Sequence, residues 1–217
     1  MKVLKRAKKM IIFISIVVFA ALIYFGLKMY QYDNSPFKKE HGFSFFQTLT
    51  NSKIHAYKTL YDQLVRTDSD AKVLFNVQID EATHQNFADI VVIHPSGIYV
   101  VLVQPKKGWI SGTEKSYEWV EQLHGGKVNP FPNPIHVTES MASAIIELVP
   151  TIEREQIKSV VLFSNDCSFQ RIELSSDSVE VLKYSEISRW VKLLEGQVIP
   201  KDQINSIYIS LKTYSNN

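Results

Sequence analysis

Hydrophobic residues follow two unlike patterns along this chain: one long uninterrupted run near the N-terminus, and then a series of short periodic segments. The run at residues 10–27 reads MIIFISIVVFAALIYFGL and contains no charged residue. At a rise of 1.5 Å per residue, about 18–20 such residues cross the hydrocarbon core of a bilayer. The pattern predicts a transmembrane helix at residues 10–30, followed by a separately folded region.

The charges on either side of this run predict its orientation. Five basic residues precede it in a tail at residues 1–9, and about three follow it. The positive-inside rule places that tail in the cytoplasm and the folded region outside. A cleaved signal peptide is the alternative, but the run is longer than a typical signal-peptide core and no small-x-small site follows it. We expect a single-pass protein of the cell membrane, with its N-terminus cytoplasmic and its domain extracytoplasmic.

The periodic segments predict one domain at residues 49–217, joined to the membrane helix by a linker at residues 31–48. Apolar residues at three- and four-residue spacing predict helices at residues 51–65, 135–149, 185–196 and 201–215. Apolar alternation and short apolar runs predict strands at residues 71–79, 157–165, 168–174 and 178–184, a hairpin at 87–103 and a smaller hairpin at 108–123. This order favours an α/β fold in which helices flank a mixed sheet.

Several details of these elements are specific enough to compare with a structure. The strand at residues 71–79 is expected to turn four side chains to one face: Val73, Phe75, Val77 and Ile79. The hairpin is expected to be central and to bury Val91, Ile93, Val100, Val101 and Leu102. Residues 125–134 are expected to form a rigid loop. Ser185 is expected to cap the third helix, and Gly196 to end it.

Charge and cysteine content narrow the possible partners. The net charge is +2, but residues 1–40 hold eight basic and two acidic residues, which leaves 16 basic and 20 acidic residues for the folded region. This mildly acidic balance disfavours nucleic acid as the main partner, since phosphate contacts need basic residues. Cys167 is the single cysteine, so the domain has no internal disulfide.

The hairpin sequence FADIVVIHPSGIYVVLVQPKKGWISG resembles the core of the nuclease-related domain (NERD) family. SKIHAYKTL and LFNVQI before it, and NPFPNP and SVVLFSN after it, agree with that family in order and spacing. The resemblance covers residues 51–195 and implies the restriction-endonuclease-like fold. It also implies a site at which an aspartate and a glutamate on adjacent strands hold Mg²⁺ while a lysine assists.

On this chain the family's aspartate falls at Asp89, its glutamate at Leu102 and its lysine at Gln104. The position at which the family carries an acidic residue on its first helix falls near Lys53. One carboxylate does not make the usual Mg²⁺ site, so the resemblance implies a degenerate motif with no catalytic residue, metal or cofactor. Asp89 is then expected to be a structural carboxylate that bonds to the backbone or to a lysine.

Three functions stay open from the sequence. The first is an inactive NERD-like domain that binds a protein partner as a scaffold at the cell envelope. The second is an active tethered nuclease with a relocated site, to which loop acids would contribute: Asp80, Glu81 and Glu114. The third is a non-cleaving module that holds nucleic acid during DNA transfer, on a basic cleft formed by Lys106, Lys107, Lys115 and Lys127. The six histidines show no metal-ligand spacing, so zinc is not expected.

Overall fold

The computed structural model describes residues 2–79 and 86–215, and the chain divides into two compact units at residues 49 and 50. The first unit is helical, with α1 (Lys2–Asp33), α2 (Pro36–His41) and α3 (Phe45–Thr50). Within α1, the 26 residues Lys8–Asp33 have a mean hydropathy of 2.8, which makes this helix long and apolar enough to cross a membrane. A signal sequence meets the same criteria of length and composition.

The segment that follows α1 is short and helical rather than extended. Ser35 caps α2 by accepting a hydrogen bond from the Lys38 N–H at 3.3 Å. Gly42 ends this helix at φ 72°, a left-handed conformation that glycine adopts without a steric penalty. The Tyr32 hydroxyl donates to the Phe43 carbonyl at 2.8 Å, so residues 34–43 fold back on the end of α1.

The second unit contains two mixed sheets. The larger has the order β1-β2-β3-β7-β9 and the smaller the order β6-β5-β4-β8. The strands span β1 (Lys72–Gln78), β2 (Phe87–His94), β3 (Gly97–Gln104), β4 (Gly108–Thr113), β5 (Glu118–Gln122), β6 (Val128–Pro132), β7 (Ile157–Phe163), β8 (Cys167–Glu173) and β9 (Val179–Lys183). In the larger sheet β1, β2 and β3 are antiparallel, whereas β3, β7 and β9 are parallel. The predicted α/β class is confirmed.

Four helices pack against these sheets: α4 (Ser52–Thr67), α5 (Pro134–Leu148), α6 (Ile187–Lys192) and α7 (Lys201–Lys212). Helices α5 and α7 form one core cluster with the larger sheet, through residues such as Met141, Ile145 and Leu211. Helix α4 contacts the sheet through Tyr57, whose ring stacks on Phe75 at 5.0 Å. All five residues expected to be buried in the hairpin strands are buried, which confirms that prediction.

A second core cluster joins the smaller sheet to β7. Trp119 of β5 is fully buried, and its ring stacks on Phe163 with centroids 6.0 Å apart. Gly112 makes this contact possible, because a Cβ at that position would lie 2.3 Å from the Trp119 ring. The close approach explains why β4 carries a glycine in its interior.

Two boundary predictions are wrong. Residues 125–134, expected to be a loop, contain β6, which pairs with β5 at the edge of the smaller sheet. Proline is tolerated there because an edge strand leaves some N–H groups unpaired. The helix expected at residues 185–196 begins only at Ile187 and ends at Lys192. Ser185 lies in a preceding 3-10 turn and does not cap it, and Gly196 lies beyond its end.

The prediction that one face of the first strand carries four side chains is also wrong, and the reason lies at Asn76. Its φ of 50° is left-handed, which is uncommon for a residue other than glycine. Leu74 and Val77 consequently belong to the same core cluster, although residues three apart on a regular strand face opposite ways. Ala88 and Val91 of β2 also belong to this cluster although they are three residues apart. The alternation of side chains therefore breaks on β2 as well, around Asp89.

Candidate functional site

Asp89 is the third residue of β2 and has no exposed surface. Its carboxylate accepts a hydrogen bond from the Tyr57 hydroxyl at 2.9 Å and another from the Val103 N–H at 2.6 Å. The Lys53 ammonium contacts the same carboxylate as an ion pair. Because a buried carboxylate without partners is strongly unfavourable, these three donors account for its place in the core.

Helix α4 supplies two of the three donors. Asn51 caps this helix by accepting from the Lys53 N–H at 3.0 Å, which fixes Lys53 in its first turn. Lys53 and Tyr57 are four residues apart and therefore lie on the same face of the helix. Both side chains reach Asp89 from that face, since the helix packs with Tyr57 against β1.

The backbone irregularity described above surrounds this site. Asn76 and Asp89 occupy facing positions on β1 and β2, between the paired positions Phe75–Ile90 and Val77–Ala88. The Tyr57 hydroxyl lies 3.3 Å from Asn76 Oδ1. The break in alternation turns Asp89 away from the α5 cluster and toward α4, and unusual backbone conformations of this kind are concentrated at functional sites.

Burial sets the electrostatics of these groups. Burial raises the pKa of the Asp89 carboxyl, and the Lys53 ammonium, the Val103 N–H and the Tyr57 hydroxyl partly oppose that rise. Burial and the nearby Asp89 charge raise the pKa of Tyr57, and they raise the pKa of Tyr184 to about 12. Tyr57 therefore stays protonated near neutral pH, as its role of donor to Asp89 requires.

The positions of the family's glutamate and lysine hold no charge. Leu102 is 7% exposed and pairs in register with Val161 of β7. Gln104 ends β3, and its carbonyl accepts a hydrogen bond from the Ser164 N–H at 3.1 Å. Lys53 is the cation beside Asp89, with its ammonium 5.6 Å from the Phe87 ring centroid and 34% of its side chain exposed.

The acids considered for a relocated site do not gather around Asp89 in the described part of the chain. Glu114 lies after β4 and accepts hydrogen bonds from Ser175 and Ser176, and these bonds lower the pKa of its carboxyl to about 2. Asp80 and Glu81 fall outside the described residues. Within residues 2–79 and 86–215, no three His, Cys, Asp or Glu side chains are grouped closely enough to hold a metal ion.

The four candidate lysines lie at both ends of the smaller sheet. Lys106 lies 3.7 Å from Glu121 and 4.3 Å from the Phe131 ring centroid, while Lys107 lies 3.9 Å from Asp166. Lys127 precedes β6 at the same end. Lys115 follows β4, and the six residues of that strand separate it from the others by roughly 17 Å at about 3.4 Å per residue.

Tyr57, Asn76 and the Val103 N–H are parts of this site that the sequence analysis did not identify. The four-residue spacing of Lys53 and Tyr57 was a usable signal, because it places both side chains on one helix face. Nothing in the sequence marks Asn76 as left-handed or Val103 as a donor, since both features depend on how β1, β2 and β3 meet.

Comparison with known proteins agrees with this architecture. The nuclease-related domain matches residues 53–164, just over half of the chain. An uncharacterized protein of Bacillus anthracis is 28% identical over 137 residues, and this alignment covers 63% of each chain. No solved structure matches. The matched region begins at Lys53 and includes Asp89, Leu102 and Gln104. The chain therefore belongs to the nuclease-related domain family.

Proposed function

We propose that this protein is a membrane-anchored binding module whose nuclease-related domain does not cleave nucleic acid. The observation that carries the proposal is the ion pair between Lys53 and Asp89. The family's acidic position on the first helix has become a cation here, and that cation neutralises the one carboxylate that remains.

The ion pair disfavours a divalent metal for an electrostatic reason. Mg²⁺ binds where several anionic oxygens converge. Around Asp89 the described contacts are an ammonium, a hydroxyl and an N–H, all of which are donors. A metal at this carboxylate would have to displace Lys53 or lie beside its positive charge, and Leu102 offers no second carboxylate.

A cleavage assay tests this function directly. The full-length chain in detergent would be incubated with single- and double-stranded DNA and RNA in the presence of Mg²⁺ or Mn²⁺. We expect no cleavage, while a known metal-dependent nuclease cuts the same substrates in the same buffer. Metal-dependent cleavage that Asp89→Asn abolishes would contradict the proposal and favour the active tethered nuclease.

The outer face of the smaller sheet supports a protein partner. Trp109 is 40% exposed and Val128 is 54% exposed, and both pair in register with Gln122, so they lie in one row of the same face. Exposed aromatic and aliphatic side chains in one row are typical of the centre of a protein interface. The prolines of β6 disfavour pairing at that edge, so a partner would meet the face.

Site-specific photo-crosslinking in cells tests the partner. A photoreactive residue replaces Trp109, and the same residue replaces Ile209 on α7 as a control that is also exposed. We expect a discrete protein adduct from position 109 and not from position 209. Adducts with nucleic acid at position 109 would favour the nucleic-acid-holding module. The absence of any specific adduct at this position would contradict the scaffold function.

The membrane location is part of the same proposal. The length and hydropathy of α1 support a single span, and the excess of basic residues in the tail at 1–9 supports a cytoplasmic N-terminus. Protease added to intact cells is expected to remove a C-terminal tag while a cytoplasmic control protein survives. Protection of the tag would show that the domain faces the cytoplasm. A mature chain that starts after Tyr30 would indicate a cleaved signal peptide.

A further inference from the structure

A second group of polar side chains lies at the opposite end of β2, away from Asp89. Asp68, at the end of α4, lies 3.3 Å from Nε2 of the buried His94. His94 Nδ1 lies 2.7 Å from the Ser96 hydroxyl, which lies 2.8 Å from the Tyr99 hydroxyl. The turn between β2 and β3 therefore joins His94, Ser96 and Tyr99 through hydrogen bonds, and Asp68 contacts the other nitrogen of the imidazole.

The backbone fixes the direction of these hydrogen bonds. The Ser96 N–H donates to His94 Nδ1 at 3.1 Å, so that nitrogen is an acceptor and the imidazole proton is on Nε2, facing Asp68. The Ser96 hydroxyl, at 2.7 Å, then shares the single lone pair of Nδ1 with the Ser96 N–H, and it accepts from Tyr99. Burial lowers the pKa of His94, and Asp68 partly opposes this change, so the imidazole is a neutral base near pH 7.

Ser96 and Tyr99, two members of this series of side chains, line a cavity. The cavity has a volume of about 140 Å³, and its lining includes Ser96, Tyr99, Trp190 and three charged residues, Lys158, Glu180 and Glu195. A cavity of about 150 Å³ accommodates a molecule of the size of benzene. Ser96 is half-exposed here, and Lys158 pairs in register with Tyr99 on the neighbouring strand.

We propose that Ser96 is a nucleophile toward small acyl esters, with His94 as its general base and Asp68 as the group that positions His94. In the first step the Ser96 oxygen bonds to the acyl carbon and its proton moves to His94 Nδ1. The ester C–O bond then breaks, and the alcohol leaves with that proton. Water repeats the sequence on the acyl-serine, which releases the acid and restores Ser96.

The cavity carries one cation, Lys158, and two acids, Glu180 and Glu195. Glu180 accepts a hydrogen bond from Trp190 Nε1 at 2.8 Å, which ties one of the two acids to the cavity wall. Asp68 faces the Nε2–H and stabilises the imidazolium that forms when Nδ1 takes the proton. Lys158 is the cationic side chain among the cavity residues named above. We assign to it the stabilisation of the negative charge that develops on the acyl oxygen. Tyr99 donates to the Ser96 oxygen, which leaves one lone pair of that oxygen for attack on the acyl carbon. This activity is independent of the binding function proposed above.

A fluorophosphonate probe distinguishes this chemistry from side chains that only stabilise a tight turn. Full-length protein in detergent is treated with the probe, and the modified residue is located by mass spectrometry. We expect labelling at Ser96 that is lost on heat denaturation and in Ser96→Ala. The control is Ser206→Ala on α7, where the hydroxyl donates only to the Gln203 carbonyl in the described contacts, and it is expected to label like the wild type.

The kinetics of labelling test the general base. His94→Gln is expected to slow labelling by roughly 100-fold or more, the usual contribution of a positioned base, and thermal unfolding in parallel shows whether the variant is folded. If it is not, the pH profile of the wild type decides: the rate should rise through one titration below about pH 6.5, the usual value for histidine. Labelling of folded protein that equals that of denatured protein, labelling that survives Ser96→Ala, or a flat pH profile would overturn the proposal.

Discussion

The ammonium of Lys53 on α4 contacts the fully buried carboxylate of Asp89 on β2, 36 positions later in the chain. The pair connects the first helix of the domain to β2, the second strand of its larger sheet. It also places a fixed cation where the family resemblance implies an acidic residue that assists a metal. The same contact is therefore expected to stabilise the fold and to disfavour a metal ion at Asp89, and the stability of variants and their nuclease activity can both be measured.

Replacing Lys53 with methionine leaves the Asp89 carboxylate without its cation. We expect the free energy of unfolding to fall by roughly 1–3 kcal/mol, the range for a buried group that loses a partner. Because 34% of the Lys53 side chain is exposed, water compensates part of the loss. Urea unfolding followed by tryptophan fluorescence measures the change, since all three tryptophans lie in the second unit.

Lys58→Met is the matched control, because Lys58 pairs with Asp62 on the same helix but both side chains are partly exposed. An exposed pair four residues apart contributes about 0.3–0.5 kcal/mol. Equal losses for the two variants would show that Lys53 does not compensate a buried charge.

Leu102→Ala is expected to destabilise the domain by roughly 2–5 kcal/mol, because Leu102 is buried on β3, the central strand of the larger sheet. Leu193→Ala, at a leucine that is 63% exposed, is the control and is expected to have little effect. A thermal melt of Leu102→Ala that coincides with the wild type would place Leu102 outside the core.

The double substitution Leu102→Glu with Gln104→Lys restores the residue types that the family resemblance implies. We expect destabilisation without nuclease activity, because Lys53 still neutralises Asp89 and the new glutamate enters an apolar strand position. Adding Lys53→Glu to this variant removes the competing cation. Mg²⁺-dependent cleavage by the double variant alone would show that Lys53 does not prevent metal binding.

Gly112→Ala is expected to destabilise the smaller sheet, because the added Cβ would lie 2.3 Å from the Trp119 ring and would force it to move. Overpacking of this kind costs about 1–3 kcal/mol. The emission spectrum of the variant should also shift, since the displaced ring belongs to a buried tryptophan. Ser111→Ala, at the neighbouring half-exposed position, should leave both the stability and the spectrum close to those of the wild type.

Glu114 is expected to make the stability of the domain depend on acid pH. Hydrogen bonds from Ser175 and Ser176 lower its pKa from the ordinary value of 4.5 to about 2. A lowered pKa means that the unfolded chain takes up the proton first, so the contribution of Glu114 is complete above about pH 4.5 and is lost as the pH falls toward 2. Glu114→Gln should flatten the pH dependence of unfolding in this window, which urea unfolding at a series of pH values measures.

Local sequence determined the features that depend on periodicity alone. An uncharged apolar run defines a helix long enough to span a membrane, whatever surrounds it. The hairpin of β2 and β3 and the helices α4, α5 and α7 were predicted because apolar spacing repeats within each segment. The resemblance to the nuclease-related domain family rested on such segments in order, and the family match confirms it.

Tertiary structure alone decided the features that depend on neighbouring segments. Residues 128–132 read as a proline-rich loop, and they form β6 because β5 supplies a partner strand. The left-handed conformation of Asn76 breaks the alternation of β1 opposite Asp89, where the alternation of β2 also breaks. The contacts of Asp89 with Lys53, Tyr57 and Val103 join residues up to 36 positions apart, and no periodicity encodes such separations. Sequence patterns report which face of an element is buried, whereas packing determines which groups meet there.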